Sequence, residues 1–354
     1  MMSERPAVAA LDQLDETTLP NEFALLAEVA ADAGLGGNTA PLVQRRWFNP
    51  TTGGHVSAVV WGSGPPEVVL LHDAGRGARQ WDAVILALGR PAVALDLPGH
   101  GRSNRRRDGR YEPVRLAVVT AEAIASFAPR ARLVVGSGLG GLTALALAAR
   151  RPELVHRLVL LDTLPGLGRA VRPAPGAAPA SRTDAVRLLA ATVPLTGSPE
   201  ADRPVSAGEP AGRSGPAEGL GSAGGVALVD RALRREVLYG TVREPDGPWA
   251  WRHDPALAAV DHDPQRSWDH LTAAVSATAV SVVRAASSFW GDDLDEAARR
   301  AGVPVLTIDG VDIDAEIEQP VTLARVLDGV LADPADRTRT PAPNAPLLER
   351  TPRS

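Results

Sequence analysis

The chain has 354 residues, 44% of them hydrophobic, enough for one large α/β domain with an inserted subdomain or for two domains. Its net charge is -5 and every basic residue is an arginine; with no basic excess to neutralise phosphates, nucleic acid is excluded as the main partner. Cysteine is absent, which excludes disulfides, thiolate metal sites and a cysteine nucleophile.

The opening "MMSERPAVAALDQLDETTLPNEF" has neither a basic lead nor a long apolar run, so no signal peptide or membrane span is expected there, and a cytoplasmic location is the default expectation. Residues 1–42 read as an appendage carrying one amphipathic helix, "NEFALLAEVAADAG", which ends in glycine and is expected to pack on the main domain. From Arg45 to about Asp162 strands and helices alternate. "HVSAVVW", "EVVLLHD" (67–73), "PAVALDLPG" (91–99), "RLVVGSG" and "RLVLLDTLPG" read as strands, and "VRLAVVTAEAIASFA" and "GGLTALALAARRPELV" as helices. Near-continuous Val/Leu runs suit parallel strands covered on both faces, which makes this an α/β protein with a mostly parallel central sheet flanked by helices.

From Leu164 to about Asp263 the texture changes to Pro, Gly, Ala and Ser. Such segments bury too little apolar surface to offset their ordering entropy. With the helix candidates "RTDAVRLLAATV" and "VALVDRALRREVLYGTV", residues 164–263 read as a helical lid insert with a disordered stretch near 196–225. The sheet pattern returns in "ATAVSVVRAA" (277–286) and "GVPVLTIDG" (302–310), followed by the helix "PVTLARVLDGVL". The core is thus expected at 43–163 and 264–332, with a disordered tail at 333–354.

The segment "VVGSGLGGLTALALAARRPELV" (134–155) has the order strand, tight glycine turn, helix. A nucleophile at such a turn needs small neighbours two before and two after it, and the helix start aims free N–H groups at developing negative charge. Centring the turn on Gly138 puts Gly136 and Gly140 at the flanks; centring it on Ser137 puts Val135 and Leu139 there, and these fit poorly. The frame belongs to Gly138, and no nucleophilic side chain stands in it.

In these motifs the chain resembles the α/β-hydrolase superfamily, of the bacterial esterase and lipase type with a helical lid. "VVLLHDAGRGARQW" is similar to the family's oxyanion strand and loop, which usually begins HG; "ALDLPGHGRS" and "VVGSGLGGLTALALAARRPELVHRLVLLD" are similar to its next loop and to its elbow, helix and strand. The likeness covers roughly 45–163 well and 265–331 moderately. It implies an α/β-hydrolase fold and carboxylic-ester hydrolysis by a triad running Ser, Asp or Glu, then His. The departures fall on that triad. Gly138 holds the nucleophile's place, Phe289 the acid's, with Asp292 and Asp293 a few residues on, and Ile313 the histidine's when "EQP" is aligned with the family's acidic-x-Pro; no histidine follows His270. Asp73 replaces the glycine usual after His72.

Ser137 is the candidate displaced nucleophile, against the alternative of a side chain tucked beside the elbow; His72 and His100 are candidate acid or base groups, against histidines that hold turns. Backbone N–H groups of Leu139 and of the loop near Ala74 are the expected oxyanion donors, and the hole they form suits a water or a small carboxylate, which Asp73 would oppose if it pointed inward. Trp81 and Trp290 are expected to line the pocket, Trp290 with Phe289 filling the space the triad left. Trp249 and Trp251 of "PWAWRHD" pack on the core or line the pocket; "DHD" (261–263) with His253 and Asp254 is a metal-site candidate set against a solvated loop, which is the expectation, as it is for "RRRDG" (105–109), so no metal is expected, and no cofactor either. Three functions remain open: a hydrolase-like pseudoenzyme that binds a small apolar or carboxylate-bearing molecule or regulates a partner; a lyase, cyclase or isomerase reusing the oxyanion donors; and an ester hydrolase with a displaced nucleophile.

Overall fold

A computed structural model describes residues 21–36, 41–166, 178–192, 223–244, 247–260, 263–288, 291–311 and 314–333. A short helix α1 (Leu26–Asp32) precedes strands β1 (Val43–Phe48), β2 (Val56–Trp61) and β3 (Val68–Leu71). Then come α2 (Asp82–Leu88), β4 (Ala92–Leu95), α3 (Pro113–Phe127), β5 (Leu133–Ser137), α4 (Gly138–Arg150) and β6 (Arg157–Leu161). The segment between β6 and α7 (Pro264–Ala277) holds α5 (Arg182–Thr192), α6 (Ala223–Gly240) and the hairpin β7 (Thr241–Arg243) and β8 (Trp249–Trp251). The chain returns through β9 (Ala279–Ala285), α8 (Gly291–Ala301), β10 (Val305–Ile308), α9 (Ala315–Glu318) and α10 (Pro320–Ala332).

Eight strands form one sheet in the order β1-β2-β4-β3-β5-β6-β9-β10. β1 and β2 are antiparallel to their neighbours and the other pairs are parallel. Strands β3 to β6 are buried throughout, because both faces are covered. One face packs on α3, α4 and α7 through Leu116, Ile124, Leu142, Leu145 and Leu271. The other packs on α1, α2 and α10 through Leu26, Val84, Ile85, Leu323 and Leu327. The chain passes from β3 outward to β4, then crosses back over β3 to β5, so the crevice at the carboxyl ends of β3 and β5 is a topological switch point. The loop after β3 and the turn after β5 meet there.

Several expectations shift. α1 is seven residues long, with residues 21–25 in turns before it. It packs on the sheet and also reaches α6, where Asp32 pairs with Arg231 and Arg235. α6 begins at Ala223, so the last residues of the stretch expected to be disordered are helical; the rest of that stretch, 196–222, lies outside the described residues. So do Phe289, Trp290, Ile313 and the tail beyond Asp333. Trp81 does not line a pocket: it is fully buried with Val59, Trp61 and Leu70 in the core beneath α2.

Candidate active site

The turn from β5 into α4 has the geometry that its three glycines require. Gly138 takes φ +48°, a left-handed conformation costly for any other residue. A Cβ on Gly136 would come within 2.7 Å of the Gly140 carbonyl, and one on Gly140 within 2.3 Å of the Leu71 carbonyl. Small residues at both flanks are therefore steric necessities, which places Gly138 at the centre of the turn. Its N–H donates to Thr163 Oγ1 (2.7 Å), and that hydroxyl donates on to the Leu161 carbonyl (2.7 Å).

The space a side chain at 138 would occupy is already filled. A Cβ built on Gly138 would lie 1.8 Å from Asp73 Oδ1. The same oxygen accepts hydrogen bonds from the backbone N–H of Leu139 (2.8 Å) and of Ala74 (2.7 Å). These are the two donors expected to form the oxyanion hole, and they converge on a carboxylate oxygen supplied by the chain itself. The hole expected to suit a water or an external carboxylate thus holds Asp73, which points inward. Charge-assisted bonds from a helix N-terminus favour this arrangement, since the first N–H groups of α4 have no partner within the helix.

Ser137 ends β5 and is buried; its hydroxyl accepts from Gln80 Nε2 (2.9 Å). The same amide nitrogen donates to Glu316 Oε1 (2.7 Å), and Gln80 Oε1 accepts from the Asp73 N–H (3.2 Å). Neither candidate imidazole is bonded to Ser137. His72 Nε2 accepts from the Leu97 N–H (2.9 Å), so its proton sits on Nδ1 and donates to the Asp73 carbonyl (2.7 Å). Burial lowers its pKa, which keeps that ring neutral. His100 meets His72 edge-on, centroids 4.7 Å apart, with Nδ1 3.2 Å from the Pro98 carbonyl; burial, with His72 beside it, pushes its pKa well down. Both rings brace the loops after β3 and β4. The candidate acid-base roles of His72 and His100 at Ser137 find no support in this geometry.

Sequence reasoning missed the charged cluster beside the elbow. Arg76, buried in the loop after β3, pairs with Glu236 of α6 (2.7 Å), with Asp314 (3.0 Å) and with Glu316 of α9 (3.0 Å). Three carboxylates hold its pKa above the usual arginine value despite burial. Arg76 and Gln80 both sit in "HDAGRGARQ", but no local pattern announces partners more than 150 residues away. Asp162, at the end of β6, has φ +44° and is raised to about 6 by burial. The two tryptophans of "PWAWRHD" pack within the insert: Trp251 in a small core with Leu189, Leu233 and Val237, Trp249 under the Arg182 guanidinium. "RRRDG" is more than a solvated loop, because Arg105 donates to the carbonyls of Trp251 and His253 and so ties the hairpin to the loop after β4. Asp263 caps α7 through the Arg266 N–H, while Asp261 and His262 lie outside the described residues. Among the described residues no group of histidines and carboxylates is placed to hold a metal ion, and no helix is long and apolar enough to cross a membrane.

Comparison with known proteins agrees with this architecture. A family profile described as alpha/beta hydrolase fold matches residues 66–196. The chain is 36% identical over 324 residues to the Mycobacterium tuberculosis protein named Esterase Rv0045c, covering 90% of this chain and 98% of that one. A crystal structure of that esterase superposes with a TM-score of 0.67 at 33% identity, over 88% of this chain and 98% of the other. A pimeloyl-[acyl-carrier protein] methyl ester esterase of Aromatoleum aromaticum is 38% identical over 118 residues, 32% of this chain and 43% of that protein. With near full-length kinship to an esterase and the switch-point crevice in place, the chain belongs to the alpha/beta hydrolase superfamily.

Proposed function

We propose that this protein is a non-hydrolytic member of its superfamily, a small-molecule-binding or regulatory module in which Gly138, Phe289 and Ile313 hold the places of nucleophile, acid and base. One observation carries the reading: Asp73 Oδ1 occupies the oxyanion donors of Leu139 and Ala74 in the volume where a nucleophile's side chain would start. A substrate carbonyl entering that crevice meets a carboxylate in place of two free N–H groups, and finds no hydroxyl in the frame of the turn. In a serine hydrolase, removal of the nucleophile or base alone costs about a millionfold in turnover. The segment of α5, α6 and the β7–β8 hairpin is read as a lid, clamped to the crevice by Glu236 on Arg76.

The second reading is an ester hydrolase with a displaced nucleophile, and kinship with a protein named as an esterase favours it. Ser137 is then the nucleophile. Hydrolysis of p-nitrophenyl acetate, butyrate and octanoate, with fluorophosphonate labelling, separates the two. The proposal expects rates equal to buffer and no labelling. Turnover that scales with protein concentration and disappears in Ser137→Ala would overturn it and establish the second reading.

A further inference from the structure

A cavity of about 460 Å³ opens between the β1–β2 turn and the loop after β4, with Val119 of α3 in its wall. Neither Asp73, Ser137 nor Gly138 lines it, so it is separate from the filled crevice. Pro50, Val56 and Pro98 give it an apolar part. Its charged part is the run Arg105, Arg106, Arg107 and Asp108. Three arginines against one carboxylate leave two positive charges, in a chain whose net charge is -5.

The single carboxylate is already engaged. Arg106 holds Asp108 by two prongs, Nε on Oδ1 (3.0 Å) and Nη2 on Oδ2 (2.9 Å). Arg105 and Arg107 therefore have no carboxylate among the described residues. Arg105 is exposed, and its Nη2 is shared between the carbonyls of Trp251 (3.2 Å) and His253 (3.4 Å), which fix its position without cancelling its charge. Arg107 is exposed and makes no hydrogen bond or ion pair with any described residue. Asn104 is exposed in the same wall. Its Oδ1 accepts from the His55 N–H (2.7 Å), and only the oxygen of the amide can do so, which leaves both Nδ2 protons without a partner among the described residues. Solvent-facing donors with no acceptor of their own thus gather at one concave, positive place, where field lines are focused.

We propose that this cavity binds the phosphate of a small phosphate monoester, Arg107 and the Asn104 amide donating to phosphate oxygens while Arg105 adds its charge. A phosphate monoester carries close to two negative charges at neutral pH and offers only acceptors, so it answers both the charge and the donors. A carboxylate offsets one charge of the two, a neutral sugar offsets none, and an ammonium is repelled. A cavity of about 150 Å³ takes benzene; this one, roughly three times larger and open to solvent, admits a sugar-sized skeleton beside Pro50 and Pro98. The loop that would hold the phosphate also carries His100 and, through Arg105, the β7–β8 hairpin.

The test titrates the full chain with ribose 5-phosphate and with ribose at fixed ionic strength, read by calorimetry and by saturation-transfer NMR of the ribose protons. Ribose 5-phosphate is expected to bind saturably with Kd of about 0.1–1 mM and to be displaced by inorganic phosphate; ribose is not expected to bind. Arg107→Gln removes a charge that supports no contact in the fold, and it is expected to weaken binding about tenfold. Asn104→Asp keeps an oxygen for the His55 N–H but replaces the amide donor with a negative charge, and binding is expected to be lost. Asp108→Asn keeps the oxygen that accepts from the Arg110 N–H and releases the Arg106 charge; it is expected to tighten binding by about threefold. No saturable binding, ribose binding as well as its phosphate, no displacement by inorganic phosphate, or an affinity unchanged in both Arg107→Gln and Asn104→Asp would overturn the proposal. It is independent of the elbow, so ester hydrolysis by this protein would leave it standing.

Discussion

Putting a serine back into the turn tests whether Asp73 and a nucleophile exclude each other. Gly138→Ser meets two costs. A non-glycine residue at φ +48° costs about 1–3 kcal/mol of backbone strain. Its Cβ would also sit 1.8 Å from Asp73 Oδ1, so the carboxylate must leave the Leu139 and Ala74 N–H groups. Two charge-assisted hydrogen bonds at about 1.5–3 kcal/mol each put that second cost near 3–6 kcal/mol, reduced by whatever water takes their place. Asp73→Gly alone pays only the second cost. In the double variant the carboxylate is already gone, so the second cost is counted once. The double variant should then be more stable than the sum of the two single losses by about 2 kcal/mol or more, a coupling of the size that contacting residues show. Guanidinium denaturation followed by tryptophan fluorescence measures all four corners of the cycle. Single effects that add to within about 0.5 kcal/mol would mean that Asp73 does not occupy the nucleophile's space, and the steric argument would fail. Esterase activity of the double variant is expected to stay at background, since neither His72 nor His100 reaches this position.

Other perturbations probe the surroundings. Asp162 is held near 6 in the fold against an ordinary 3.8, so its contribution to stability is complete below about pH 4 and lost as pH rises through 6. Asp162→Asn tolerates the left-handed backbone and removes the penalty, so its stability relative to the parent should rise between about pH 4 and pH 8 by an amount on the order of 3 kcal/mol; identical pH profiles of the guanidinium midpoint would refute this. Arg76→Met leaves three carboxylates without their buried guanidinium and should cost about 3–5 kcal/mol, with limited proteolysis cutting the β6–α7 segment first; unchanged proteolysis would mean that Arg76 does not hold α6. Thr163→Val removes the acceptor for the Gly138 N–H and should cost about 1–3 kcal/mol by denaturation, with no change in esterase background.

The sheet was legible because parallel strands buried on both faces must be Val/Leu runs, and β3, β4, β5, β6 and β9 are such runs. β1 was not, because "VQRRWF" is an edge strand: it leaves Trp47 57% exposed and uses Arg45 to pair with Glu22 and Asp96, so no apolar run marks it. α2 is only seven residues long, and the buried stripe of α8 is one leucine and two alanines (Leu294, Ala297, Ala298) in a mostly charged segment, so neither stands out as an apolar run. The glycine turn was legible because its steric demands act between residues two apart. Asp73 was visible as a departure, but the direction of its side chain depends on α4, 65 residues on. Trp81 misled for the same reason: an aromatic after the loop from β3 suits a pocket wall, and only the packing of α2 on the sheet shows it turned into the core. Arg76, Gln80 and Glu316 gave no signal, since each becomes a site residue only through partners from other elements.

The placement of Asp73 connects stability with the proposed loss of chemistry. A hydrolase must keep two N–H groups at its elbow aimed at an oxyanion that is present only during reaction, and at other times water or nothing satisfies them. Here the chain satisfies them permanently. A carboxylate at a helix N-terminus completes orphan donors and pairs with the helix dipole, so the exchange removes a standing cost from the fold. It requires Gly138, because any Cβ there would collide with Asp73 Oδ1. On the proposed reading, the glycine at 138 and the aspartate at 73 therefore make up a single change. Once the nucleophile's side chain was gone, an acid at 73 could stabilise the turn; once that acid was seated, a returning serine would have to displace it. Selection for stability alone would keep the pair, whereas selection for hydrolysis would split it, because activity is where fold stability is ordinarily sacrificed.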